Sequence, residues 1–521
     1  MCDLKNIAFP VMLLFSVFNG KAEDSLKVNS FNTKQLLTLN NQWLQTGNSA
    51  GLVFNNVGSW SEFAAGVQLD KGDFHRIREA GDRDHYYFNV NSFQKLNEKM
   101  VLEGTFSFHT LNEKGARWSG IYDPYSGNPY ILADSLTGTE FHKESYELSG
   151  KMAYRHSDRL TIGTAIDYYA RVGAKQKDPR PKTTISYIAI HPSVIFNRSN
   201  STLGFDLGFS NREENISYST LKTNFTPVFF MFKGYGFYTK ELDSGFERYQ
   251  SARDLTAGIQ LGKGKGGSNA LTELRLDYGL ESVTDGSSVI RKEDGGEWEK
   301  LHSGLSHRRT IKTGNFIKTW GGKVDFFAGY GKEFLQDVVY EGNHEEYITI
   351  SKNMKYKRFV TTASAFYDVA GMKDQSRSDW IFHSSLDLAN TMEKYYYIPE
   401  VFSSSVMNLA GNIFLQKDYY SGKLHFAPSF EGTYQLNLDG SLQLSDLEEI
   451  LATQRTEIVS QEFDYSCADY VQLKAKGRVG FAPGTVRGVD QIFLELWVDY
   501  LKPVHSEDKF VSFGSKIAFV F

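Results

Sequence analysis

The chain has 521 residues, a formal net charge of -5, 14% aromatic residues, 46 Gly, 11 Pro and two Cys. That charge leaves no basic footprint, which excludes nucleic acid as the main partner. Mean hydropathy is -0.38 and no apolar run of 18 residues follows the N-terminal stretch, which excludes membrane-crossing helices but not a barrel whose strands alternate.

The chain opens with Lys5, an apolar stretch from Ile7 to Phe18, and the small-x-small ending Gly20-Lys21-Ala22. Residues 1–22 therefore read as a secretory signal peptide cleaved after Ala22. Its loss leaves Cys467 as the single thiol, so no intrachain disulfide can staple the exported chain. In residues 23–60, "TKQLLTLNNQWL" predicts a short helix from Thr33 to Leu44 followed by a turn. Trp43 is the candidate plug residue of this segment, which would fill a lumen or cap its periplasmic mouth. A disordered leader is the bland alternative.

From about residue 61 onward, stretches of alternation recur. In "LTELRLDYGLE", Leu274, Leu276, Tyr278 and Leu280 oppose Glu273, Arg275, Asp277 and Glu281. In "VQLKAKGRVGF", Leu473, Ala475, Val479 and Phe481 oppose Gln472, Lys474, Lys476 and Arg478. Period 2 means a strand with two environments, and runs of about ten residues suit a tilted strand crossing a bilayer. Short turns are expected at 95–98, 156–159, 197–200, 264–268, 321–322, 371–378, 417–422 and 483–489. Longer connections are expected at 71–85, 110–143, 173–183, 212–249, 284–308, 336–355, 392–404, 438–468 and 502–508. Short and long connections thus alternate, as they do when one barrel rim carries tight periplasmic turns and the other carries long outer loops. The pattern gives an antiparallel up-and-down barrel over 61–521, with about eighteen strands (16–18).

Glu273, Arg275, Asp277, Lys474, Lys476 and Arg478 are the lumen-lining candidates. Their bland reading is a paired, solvated lining; their functional reading is a solute path, with the last three as a basic ladder that attracts anions. The aromatic loop 212–249 reads as folding on itself or stacking on sugars. "SDLEEILATQRTEI" reads as an acidic helix with a capping box at Ser445 and Glu448, its faces solvated. No Ser-His-acid set and no metal-ligand spacing is readable, so catalytic residues, metal and cofactors are not expected. The chain ends on "KIAFVF", in which Ile517, Phe519 and Phe521 share one strand face and would pair with the first strand to close the ring.

"WLQTGNSAGL" (43–52), "YDPYSGNPYILADS" (122–135) and the terminal "AFVF" together resemble an outer-membrane β-barrel family, domain of unknown function 6850, of Bacteroides-type bacteria. The resemblance implies a barrel in the outer membrane of a Gram-negative bacterium and brings no catalytic residues with it. It also makes Phe519 and Phe521 resemble the signal read by the barrel-assembly machinery. The expected function is a channel or transport-associated barrel for a small solute. The alternatives are a non-conducting barrel that scaffolds a surface complex and, last, a surface hydrolase. Expected partners are outer-membrane lipid, the assembly machinery, and another outer-membrane transporter or a surface lipoprotein.

Overall fold

The structure, a computed structural model, describes residues 41–55, 58–133, 138–221, 228–242, 246–265, 267–286, 293–341, 344–374, 377–397, 400–444, 449–483 and 488–521. The expected signal peptide and residues 33–40 of the expected helix lie outside these. Eighteen antiparallel strands form a closed ring, from Trp60–Gly72 to Phe510–Val520. A three-residue strand, Tyr419–Ser421, pads the ring beside Leu424–Gln443. Closure runs from Glu62↔Val520 to Gly72↔Phe510, and Phe521 and Ser61 exchange both backbone hydrogen bonds. No ring strand is left with an unpaired edge at the level of the bilayer, the one sheet arrangement compatible with lipid.

The two strand faces fall as the alternation requires. Leu274, Leu276, Tyr278 and Leu280 are exposed on the outside, as are Leu473, Val479 and Phe481. Phe513, Ile517 and Phe521 continue the apolar exterior across the seam, where Phe63 and Phe521 meet edge to face at 5.4 Å. Their neighbours Ser512 and Ala518 are buried inside. An even-numbered antiparallel ring with an apolar outside and a polar inside is the outer-membrane barrel architecture, and the chain is an outer-membrane barrel. Among the described residues no helix is long and apolar enough to cross a membrane.

Strand lengths are unequal. The closing strand has 11 residues, whereas His344–Met372 has 29 and its neighbour Phe316–Glu341 has 26. Several expected long connections are instead strand. Residues 284–308 belong mostly to Ser268–Gly286 and Glu293–Thr313, and 392–404 belongs mostly to Ser378–Tyr397 and Glu400–Lys417. The expected turn at Gly321–Gly322 is strand interior; the chain reverses at Gly314 and Asn315. Gly321 is needed there for close approach, because a Cβ would meet the Phe366 ring at 2.8 Å. Above the neighbouring strands, 333–341 and 344–355 continue as a two-stranded ribbon. Strand Glu293–Thr313 pairs only as far as Lys332, and Ser378–Tyr397 only from Tyr356.

Candidate functional site

Near each rim a different part of the chain packs against the inner side of the strands. At the turn rim, residues 41–55 form two 3-10 helices, Gln42–Gln45 and Ser49–Phe54, where a helix ending in a turn was expected. Asn41 and Asn48 cap them, each accepting a hydrogen bond from the backbone two residues on. The Asn48 amide also donates to Val194 O, Phe205 O and Gln260 Oε1, at 3.1, 3.2 and 3.0 Å. Gln42 donates to Asn269 O and Thr310 Oγ1, and Ser49 shares a 2.9 Å hydrogen bond with Ser193. These contacts tie one short segment to strands more than 140 residues away in sequence.

Trp43 is buried against Ala50, Ile195 and Leu271, with Phe54 at its edge. Strand glycines make the room. A Cβ on Gly204 would meet the Trp43 ring and the Asn48 amide at 2.8 Å, and one on Gly163 would collide with the backbone of Ala50. An isolated glycine inside a strand marks close backbone approach, and this signal is present in the sequence at Gly163, Gly204 and Gly262. Beside the segment, a vestibule of about 1060 Å³ opens to the turn rim, with Arg159, Arg198, Lys263 and Lys312 among its lining.

The lining of the lumen is a cross-strand network. Glu273 accepts from the Gly47 amide at 3.2 Å and from Gln260 at 3.1 Å. Arg275 reaches Asp277 at 3.3 Å, and Asp277 also accepts from Thr256 and faces His302, which touches Asp325 on its other nitrogen. Lys476 and Arg478 both pair with Glu495, at 3.3 and 2.6 Å, and Lys474 lies in register with Asp499. The basic ladder is thus matched by carboxylates on the next strand, and the six lining candidates fall into two clusters rather than one.

At the loop rim, three segments distant in sequence pack into the mouth. Leu132–Ala133 pairs with Val228–Gly234, which pairs with Phe237–Leu242. Phe229, Phe230 and Phe232 of this small sheet bury against Trp118, Ile216 and Ile458. Phe237 stacks on Tyr395 at 4.2 Å and meets Phe402 edge to face at 4.8 Å. The aromatic loop therefore folds on itself. Ser445 and Glu448, the expected capping box, lie outside the described residues, but the helix Glu449–Ser466 is present. Its expected solvated character is corrected. Ile458 and Val459 are buried in the mouth, and Glu462 accepts a short hydrogen bond from the Tyr125 hydroxyl.

Beneath this cap lies a cavity of about 420 Å³, reached by Arg76, Arg78, Tyr125, Phe232, Glu462 and Tyr465. Arg78 lies 4.9 Å over the Phe232 ring and 4.0 Å from Glu462. Burial and the facing Glu462 push the Tyr125 hydroxyl well above its ordinary range, so it stays protonated and donates. Sequence reasoning missed Arg76 and Arg78. They sit in a short loop, and the groups they meet come from positions 125, 232, 462 and 465.

A model of the family described as "Family of unknown function (DUF6850)" matches residues 49–521. No curated protein matches the chain in sequence. Among solved structures, the outer membrane transporter YddB from Escherichia coli is similar over 88% of this chain and 81% of its own, with 8% identity and a TM-score of 0.41. The ferric yersiniabactin uptake receptor FyuA from Yersinia pestis shows 7% identity and a TM-score of 0.39, covering 89% and 80%. The ferric preacinetobactin receptor BauA from Acinetobacter baumannii shows 7% identity and a TM-score of 0.38, also covering 89% and 80%.

Proposed function

For this chain, which belongs to the family of unknown function DUF6850, we propose a transport-associated barrel that passes a small solute when its closures move. One observation supports the reading: the interior has a polar, cross-paired lining, and separable segments of the same chain pack inside it near both mouths. A barrel serving only as an anchor could fill its interior with apolar side chains and would need neither closure. In this reading residues 41–55, centred on Trp43, are the inner plug, and the small sheet with the 449–466 helix is the outer cap. Glu273, Arg275, Asp277, Lys474, Lys476 and Arg478, balanced by Glu495 and Asp499 on the next strand, keep the path wet without a net charge preference, and Phe519 and Phe521 serve as the assembly signal.

The test is single-channel conductance in planar bilayers. The full mature chain is expected to be closed or nearly so, and a variant lacking residues 23–55 to show discrete open steps. Silence from both forms, with a normal heat-modifiable gel shift showing folded barrels, would overturn the reading. It would favour a scaffold, the alternative supported by the projecting ribbon of 333–341 and 344–355 with exposed Leu335 and Ile350.

A further inference from the structure

We propose that the cavity under the outer cap binds a small ring-bearing organic oxyanion, held by the guanidinium groups of Arg76 and Arg78; this deepens the transport reading and rests on it. The Arg76 guanidinium lies over two rings, 4.7 Å from the centre of Tyr125 and 5.6 Å from that of Tyr465. Among the described residues it has no carboxylate partner. A guanidinium held beside rings keeps its fork of N–H donors, the group that recognises a carboxylate or phosphate bidentately.

Arg78 is held in the same way. Its side chain is 10% exposed, its backbone N–H donates to the Tyr125 hydroxyl at 3.1 Å, and its guanidinium lies over Phe232. Its Nε is buried with no hydrogen-bond partner. Its nearest carboxylate, Glu462, stands 4.0 Å away and already accepts from Tyr125. A buried donor without an acceptor is costly, and an oxyanion supplies the acceptor. The third arginine of the cavity, Arg358, also has a buried Nε without a hydrogen bond, but it has a carboxylate of its own, Glu393 at 3.3 Å. Arg76 is thus without a carboxylate and the one nearest Arg78 is already engaged, in a chamber walled by Tyr and Phe rings. The chamber favours a negative head and a flat or apolar body. Its place inside the barrel mouth, away from the bilayer, makes the ligand a soluble anion rather than a lipid headgroup.

Binding to the detergent-solubilised full mature chain is measured by ligand-observed saturation-transfer NMR with benzoate, phenyl phosphate and neutral benzamide. At least one anion is expected to bind saturably and to be displaced by salt, with benzamide roughly tenfold weaker or more, the scale of one charge-assisted contact. Arg76→Gln and Arg78→Gln are each expected to weaken the anion by roughly 10–100-fold while leaving benzamide unchanged. Equal binding of benzoate and benzamide by the unaltered chain overturns the site, even if both variants fail to fold. Anion binding that persists in a folded double Gln variant overturns it too. Arginine-dependent binding in a barrel whose 23–55 deletion conducts nothing would sink the transport reading and leave the site standing.

Discussion

The two segments proposed as closures are held by opposite chemistry. The inner segment, residues 41–55, is short, amide-rich and seated by glycines; its side chains donate to strand carbonyls and to Gln260, Thr310 and Ser193. The outer cap is assembled from three distant segments and held by rings and buried aliphatics, with few but strong charged contacts. A net hydrogen bond contributes about 0.5–1.5 kcal/mol, whereas burying one large apolar side chain contributes about 1.5–3 kcal/mol. The inner closure is therefore many small, directional ties that can release one by one. The outer cap is a packed unit that moves as a body or not at all.

Truncating the cap core is the most severe way to break that contrast. Phe229 is fully buried between Tyr218 and Phe246, and Phe229→Ala is expected to destabilise the cap by about 3–5 kcal/mol. Hydrogen exchange should show lost protection across 228–242 and 458–466 together, with 41–55 unchanged. Loss confined to 228–234 would mean that the cap is not a unit. Next in size is Tyr125→Phe, which removes the hydroxyl donor to Glu462 and is expected to cost about 1.5–3 kcal/mol, read as faster proteolysis of the 117–131 loop. Smallest is Ser49→Ala, which loses one bond to Ser193 and should cost about 0.5–1.5 kcal/mol, with exchange rising only around residues 48–51. An effect spread over the whole of 41–55 would show that the inner segment is as cooperative as the cap.

The barrel was legible because lipid imposes a rule on the strands: in "LTELRLDYGLE" the outward positions from Leu274 to Leu280 are apolar, and the structure keeps that register residue by residue. Above the bilayer the rule lapses. Glu297 and Glu299 alternate with Trp298 and Lys300 in a strand that carries no continuous apolar outward face, so 284–308 read as loop. At Gly321 and Gly322 two glycines looked like a turn, whereas one of them makes space for a neighbouring ring. Trp43 stood out as a large aromatic in a polar stretch, and its burial follows. The pair Arg76 and Arg78 could not be seen, because its partners are loop residues brought together only when the cap folds.

The long ribbon also sets how this protein meets the world outside the cell. A strand of 29 residues, at roughly 3.3 Å per residue and a tilt of about 40°, rises roughly 70 Å, against an apolar band of about 25 Å. The outer ends of the two long strands therefore stand far beyond the lipid, while the seam strands of 11 to 13 residues end close to it. Among the described residues, 335–341 and 344–350 are carried far out along these strands, where antibodies and adsorbing phage approach the cell. An epitope inserted after Val339 would be displayed above the surface without disturbing the ring, whose neighbouring strands stop pairing at Lys332 and Tyr356.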